Sequence, residues 1–267
     1  MEDVGEGDYS SLSSIPAQAE SKAQLIVKES GIIAGLTMAE NIYKYIDPSI
    51  DFIRLLNEGQ KIQKGDIGFK LAGSARSILS GERLVLNCMQ RMSGIATYTH
   101  YLKGLLVGTG AQLLDTRKTT PNFRMLEKWA VVIGGGLNHR FGLYDMILLK
   151  DNHIDFGGGI TKTINRCREF LKKEHLDLRI EIETRNLKEV EEVLRTGKVD
   201  RIMLDNMTIQ EMKQAVDLIG GKYETEASGG ITEENIRQIA FTGVDFISVG
   251  ALTHSIKSID LSLKAIS

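Results

Sequence analysis

The sequence predicts an α/β protein in two parts: an α+β domain over the first 106 residues, then an incomplete, open α/β barrel. Three observations lead there. From Gln112 onward, six short apolar runs alternate with amphipathic helical stripes, and such alternation implies parallel strands joined by helical crossovers. The run ends Glu183, Asp205, Ser228 and Gly250 recur at intervals of 22, 23 and 22 residues, the cadence of βα units. Six runs are too few for a closed eight-stranded barrel. An open doubly wound sheet is the alternative architecture.

Taken in order, residues 1–20 read as a loop-like lead-in rich in Gly and Ser. Lys22 to Val27 resembles a strand, and Met38, Ile42, Tyr45 and Ile46 share a helical face. Asp51 to Leu79 alternates short apolar runs with Gly59, Gly65, Gly68 and Gly73, predicting several short antiparallel strands. Leu86, Met89, Met92, Ile95 and Ala96 form one stripe of a long helix over 82–106, while Met125 and Trp129 read as core. The six runs are QLLDT (112–116), MILLK (146–150), RIEIE (179–183), RIMLD (201–205), YETEAS (223–228) and DFISVG (245–250). Helical stripes such as Ile160/Ile164/Cys167/Leu171 and Ile209/Met212/Val216/Ile219 separate the later ones. The expected domains are therefore 1–106 and 107–267, with a last helix packing back on the first.

Composition narrows the function classes. The chain has 267 residues, 42% hydrophobic and 25% charged, with 33 Lys+Arg against 35 Asp+Glu. A near-neutral balance argues against a general nucleic-acid binder. No apolar run approaches the roughly 18 residues that span a bilayer. Glu2, Asp3, Glu6 and Asp8 make the N-terminus unlike a signal or transit peptide, and Cys88 and Cys167 lack metal-ligand spacing. Buried thiols in a cytoplasmic, reducing setting are the expectation.

The strand ends carry the chemistry. In a parallel barrel the carboxyl ends of the strands converge on one face, where active sites lie. Here they present Asp115 with Arg117 and Lys118, Lys150 with Asp151, then Glu183, Asp205, Ser228-Gly229-Gly230 and Gly250-Ala251. The charges are also sorted. Arg117 to Lys150 holds six Lys/Arg and two Asp/Glu; Glu181 to Glu226 holds eleven Asp/Glu and seven Lys/Arg. A mouth with cations on one wall and carboxylates on the other suits anionic, metal-bound substrates. Arginine forks grip carboxylate or phosphate, and paired carboxylates hold Mg²⁺ beside phosphate oxygens or oppose positive charge on a sugar. Ser228-Gly229-Gly230, before a helix expected near Thr232, and Gly250-Ala251 suit a phosphate cradle. Gly134-Gly135-Gly136 follows a helix and reads as a connector. His139, His153 and His254 lack zinc spacing and read as hydrogen-bond donors to an anion.

The run LDTRKTTPNFRMLEKWAVVIGGGLNHRFGLYDMILLKDNHI, from Leu114 to Ile154, closely resembles the signature of the quinolinate phosphoribosyltransferases. GERLVLNCMQRMSGIAT (81–97), IEIE (180–183), IMLDNM (202–207), EASGGI (226–231) and VGALTHS (249–255) extend the match, in order, over nearly the whole chain. The resemblance implies an N-terminal α/β sandwich domain and an incomplete α/β barrel of the type II phosphoribosyltransferase kind. It implies a homodimer, or a dimer-based hexamer, that joins quinolinate to 5-phosphoribosyl 1-diphosphate with Mg²⁺. The products are nicotinate mononucleotide, CO₂ and diphosphate. It assigns quinolinate binding to Arg117, His139 and Arg140, with Arg83 donated across the interface. Lys118 and Lys150 fall near both substrates, Glu183 and Asp205 near ribose and, indirectly, the metal. Ser228, Gly229, Gly230, Gly250 and His254 fall at the 5-phosphate. The sequence departs from the pattern in three places. It begins at what resembles the family's EDxGxGD motif, so the usual leading helix is expected to be absent or cut short; it carries one extra residue near Gly197-Lys198; and Asn122 stands where glycine is usual, asparagine being the best substitute in a left-handed turn. The rival readings are a transferase for another base such as nicotinate, and a non-catalytic binder of phosphorylated sugars.

Overall fold

The computed structural model describes residues 3–266. The chain runs α1 (Tyr9–Ser14), β1 (Glu20–Val27), β2 (Gly31–Ile32), α2 (Leu36–Ile46), β3 (Asp51–Arg54), β4 (Lys61–Ile62), β5 (Ile67–Ser74) and the long α3 (Ala75–Leu105). There follow β6 (Gln112–Leu114), α4 (Arg124–Ile133), β7 (Ile147–Leu149), α5 (Asp151–Gly157), α6 (Ile160–Lys173), β8 (Ile180–Thr184), α7 (Leu187–Thr196) and β9 (Arg201–Asp205). The last elements are α8 (Ile209–Ile219), β10 (Glu224–Ser228), α9 (Ile236–Ala240), β11 (Phe246–Ser248), α10 (Ala251–His254) and β12 (Leu261–Ile266).

These elements form two compact units that interleave in sequence, where one cut after residue 106 was expected. The first takes the chain up to His100, Thr119–Gly135, and everything from Leu252 on; the second takes Tyr101–Lys118 and Gly136–Ala251. In the first, β12, β1, β5 and β3 make an antiparallel sheet in that order. Ala23, Leu25 and Val27 alternate toward one face of β1, where Tyr43 of α2, Phe69 of β5 and Val85 and Met89 of α3 join them in the core. Three expectations for this unit are corrected. The lead-in contains a helix, α1, started by Asp8, whose carboxylate accepts the Ser11 N–H. The last segment is a strand paired with β1 and not a helix: Leu261 and Leu263 are both buried, the two-residue period of a sheet. Met125 is exposed and Trp129 half-buried; the side of α4 that is covered carries Leu126, Ala130 and Val131.

The second unit holds six parallel strands in the order β6-β11-β10-β9-β8-β7. From β7 to β11 each strand lies beside its successor, as in a βα barrel. The consecutive strands β6 and β7 occupy opposite edges, so the sheet is open there. Helices that close each βα unit have strong local signals: Asn186 caps α7, and Thr208 with Glu211 forms a capping box on α8. Asn122 has a positive φ, as do Gly197 and Lys198 in the turn with the extra residue. Among the described residues no helix is long and apolar enough to cross a membrane.

Two glycines of α3 make the packing testable. A Cβ on Gly94 would fall on the Lys257 carbonyl oxygen, a backbone atom that cannot swing away, whereas a Cβ on Gly104 meets open space. Gly94→Ala is expected to destabilise by about 1–3 kcal/mol and Gly104→Ala to be neutral or stabilising by up to about 1 kcal/mol. Urea unfolding of the two variants checks the sign; equal effects would contradict this packing.

Candidate active site

Side chains of a strand alternate between faces, so the residues two and four positions before a strand end share its side. In β8, β9 and β10 this puts Glu181 below Glu183, Met203 and Arg201 below Asp205, and Glu226 and Glu224 below Ser228. Strand register levels them: Arg201 pairs with Glu181 and with Glu224, and Met203 with Glu183 and with Glu226. The result is a cleft of about 630 Å³ lined at one end of the sheet by Arg117, Lys118, His139, Arg140, Lys150 and Asp151 together with Glu183, Asp205, Asn206, Glu226 and Ser228 to Gly230.

The cationic side is built on β6 and the loop before β7. Asp115, fully buried at the end of β6, accepts the His139 N–H at 2.8 Å and so fixes the start of the His139-Arg140 segment. The His139 ring Nδ1 in turn accepts the Arg140 N–H at 2.7 Å. Arg140 is buried, and its guanidinium donates to the Met146 carbonyl at 3.2 Å. Burial and the neighbouring Arg117 guanidinium both push Arg140 below the ordinary arginine range. Nε of Arg117 is buried with no hydrogen-bond partner among the described residues. Two guanidiniums lining one cleft, one with an unmet donor, call for an anion.

The acidic side sits on β8 and β9. Glu183 accepts from Lys150 Nζ at 2.9 Å and from the Asp151 N–H at 3.2 Å. The Asp205 carboxyl is raised above its ordinary value, first by burial, with Glu183 and Asp151 adding like charge and the Asn206 side chain and Lys150 opposing. Asn206 was not foreseen. It holds a left-handed backbone, donates its side-chain amide to Asp205 at 2.8 Å and its N–H to the Ser228 carbonyl at 2.9 Å. Its carboxamide fills the space that a Cβ on Gly229 would need, which is why glycine stands there.

Glu181, Glu226 and Arg201 also escaped the sequence reading; the two-residue step back from each strand end was the signal. Arg201 lies 2.8 Å from Glu226 and 3.0 Å from Glu224. His139 Nε2 lies 2.9 Å from Glu181 and 3.6 Å from Glu226, in a short but poorly aligned contact. One atom each of His139, Glu181 and Glu226 lie within 4.8 Å of one another, so the group could hold a cation, and the Arg201 guanidinium is the cation beside it.

The structure thus gathers Arg117, Lys118, His139, Arg140, Lys150, Glu183, Asp205, Ser228, Gly229 and Gly230 around one cleft. Gly250 follows β11 but is not among its lining residues. Arg83 (exposed, on α3) and His254 belong to the first unit, the latter with Nδ1 2.6 Å from Ser255 Oγ. Two expectations fail. The helix after Gly230 is the five-residue α9 starting at Ile236, because Asn235 folds back onto Thr232 and Gly230. His153 accepts the Lys150 N–H at the start of α5 instead of facing the cleft.

Burial raises the Glu181 carboxyl and pushes Glu226 up to about 8, with the neighbouring Glu181 adding to it. The folded chain therefore keeps protons that the unfolded chain gives up near the ordinary carboxylate value of 4.5. Stability falls as pH rises between those two values. A smaller fall in thermal midpoint for Glu226→Gln than for wild type is expected over that window; equal falls would contradict it.

Comparison with known proteins agrees with this arrangement. Residues 8–93 match the family model of the quinolinate phosphoribosyl transferase N-terminal domain, and residues 95–264 that of the C-terminal domain. The chain is 46% identical to a quinolinate phosphoribosyltransferase [decarboxylating] 1b of Nicotiana tabacum over 98% of its own length and 79% of the relative. It is 42% identical to a probable nicotinate-nucleotide pyrophosphorylase [carboxylating] of Synechocystis sp., covering 99% and 89%. The crystal structure of NadC from Streptococcus pyogenes superposes with a TM-score of 0.93 at 39% identity, over 100% of this chain and 94% of that one. With both domains matched in order, the chain belongs to the quinolinate phosphoribosyltransferase family.

Proposed function

We propose that the chain transfers the phosphoribosyl group of 5-phosphoribosyl 1-diphosphate to quinolinate with decarboxylation, giving nicotinate mononucleotide, CO₂ and diphosphate, a step of de novo NAD synthesis. The observation that carries this reading is the adjacency of Arg117 and Arg140, with the unmet Arg117 Nε, in a cleft whose far wall is acidic. A pyridine dicarboxylate supplies two anionic groups to those two guanidiniums; nicotinate supplies one. Held there, the ring nitrogen faces the sugar carbon, and fixed orientation removes much of the entropic barrier.

Glu183 and Asp205 oppose positive charge on the ribose as the carbon–oxygen bond to diphosphate breaks. Lys150 and Lys118 neutralise the departing diphosphate. The positive charge on the new pyridinium nitrogen then stabilises the electron pair that the departing CO₂ leaves on C2, and that pair takes a proton from water to form the C2–H bond, so no general base is needed. Ser228, Gly229 and Gly230 receive the 5-phosphate on backbone N–H groups, and Gly250 and His254 are assigned to the same group by resemblance. A magnesium ion fits the donor set: Asp205, Glu183 and Asp151 crowd like charge that a divalent cation would relieve. By resemblance, Glu183 and Asp205 would hold it indirectly, with Glu183 also paired to Lys150 at 2.9 Å. When bound, Mg²⁺ supplies charge to the diphosphate leaving group. The exposed Arg83 serves the site of a second copy in a homodimer or dimer-based hexamer. Two free cysteines fit a cytoplasmic setting.

Turnover of quinolinate with diphosphate release, and at least tenfold slower turnover of nicotinate, is the expected outcome; the reverse preference would overturn the assignment. Arg140→Gln is expected to lower kcat/KM for quinolinate about a hundredfold, and an unchanged value would refute the clamp. Asp205→Asn is expected to raise the Mg²⁺ concentration for half-maximal rate about tenfold, read from a metal titration; an unchanged requirement would remove Asp205 from the metal.

A further inference from the structure

β9 and β10 run in register with Asp205 level with Ser228, and the chain leaves β9 through Asn206 at a φ of +54°. Glycine takes such a backbone freely, so what asparagine adds at this position is its carboxamide. That group has two neighbours. Its Nδ2 donates to Asp205 Oδ2 at 2.8 Å; a carboxylate only accepts, so the nitrogen faces Asp205 and Oδ1 turns toward Gly229. A Cβ on Gly229 would fall on the carboxamide, which therefore fills the hollow over that Cα. The Asn206 N–H donates to the Ser228 carbonyl at 2.9 Å. Asn235 ties the far end of the same loop, donating to the Gly230 carbonyl at 2.9 Å and accepting the Thr232 N–H at 2.8 Å.

We infer that Asn206 is a positioning residue: its carboxamide locks the Asp205 carboxylate and the Ser228-Gly229-Gly230 loop at one spacing, so that a single phosphoribosyl group spans both. The inference rests on the reading that Asp205 serves the ribose and this loop the 5-phosphate, and it adds what keeps the two apart by the right distance. Gly229 and Gly230, at φ of +85° and +62°, leave backbone N–H groups open to a phosphate but carry no side chains that would hold the loop still. A neighbour must do so, because a displacement of about 1 Å in such a site can cost about a hundredfold in rate. Asn206 meets the loop at two points, its N–H on Ser228 and its carboxamide against Gly229, while its Nδ2 stays on Asp205.

Three measurements on the full chain test it. Asn206→Gly keeps the backbone conformation and removes only the carboxamide. It is expected to raise KM for 5-phosphoribosyl 1-diphosphate about tenfold and to leave KM for quinolinate within about twofold. An unchanged donor KM, or equal rises for both substrates, overturns the inference. The second is a double-mutant cycle read on nicotinate mononucleotide affinity. Asn206→Gly is expected to cost about tenfold in wild type and less than about twofold in Gly229→Ala, where the added Cβ has already displaced the carboxamide. Equal losses in the two backgrounds would mean that Asn206 holds substrate by itself and would overturn the lock. The third needs no turnover. The Asn206 side-chain amide signal in the ¹⁵N spectrum, identified as the one that Asn206→Gly removes, is expected to shift in both Asp205→Asn and Gly229→Ala. A signal that stays in place in either variant overturns the inference. Failure of wild type to release diphosphate would overturn the functional reading instead and leave this last readout standing.

Discussion

Inside the open barrel, one guanidinium balances a set of buried carboxylates. Arg201 stands level with Glu181 and Glu224 in the strand register and reaches up to Glu226. A carboxylate buried without such a partner costs several kcal/mol, and the structure meets that cost by pairing and by raising the carboxyls of Glu181 and Glu226 toward their protonated form. The interior is therefore polar where most βα barrels fill it with branched apolar side chains. The apolar layer lies on the other face of the same strands, where Ile182, Ile202, Leu204 and Ala227 are fully buried.

The site grows from this interior. Glu181 lies 2.9 Å from the His139 ring, the ring accepts the Arg140 N–H, and Asp115 ties the same loop to β6. Across the cleft, Lys150 and the Asp151 N–H meet Glu183, while Asn206 orders Asp205 and forces glycine at 229. The formal charge of −2 conceals this arrangement. A cationic wall and an acidic wall cancel in the sum but stand opposed in space.

Much of this could be read from sequence. Five of the six barrel strands lie within the expected runs and β8 passes the end of its run by one residue, Thr184, because a strand buried on both faces is a short apolar stretch bounded by polar residues. The strand-end charges were visible for the same reason. Glu181, Glu226 and Arg201 were harder, since a charge inside a strand contradicts its apolar run unless the alternation is followed inward from the strand end. The early start of α3 at Ala75 was hidden by Ile78 and Leu79, which suit strand or helix equally. β12 is too short for its two-residue period to outweigh a helical reading. The contact of the His139 ring with the next backbone N–H is one that no spacing reveals.

The account stands on one chemical coupling: a dicarboxylate held by Arg117 and Arg140 loses its 2-carboxylate only after the ring nitrogen is alkylated. Quinolinate carrying isotopic label in the 2-carboxylate, mixed with wild-type protein, 5-phosphoribosyl 1-diphosphate and Mg²⁺, tests it most directly. One labelled CO₂ per diphosphate is predicted, with none when the phosphoribosyl donor is omitted. Diphosphate released without labelled CO₂, or CO₂ released without the donor, would contradict it.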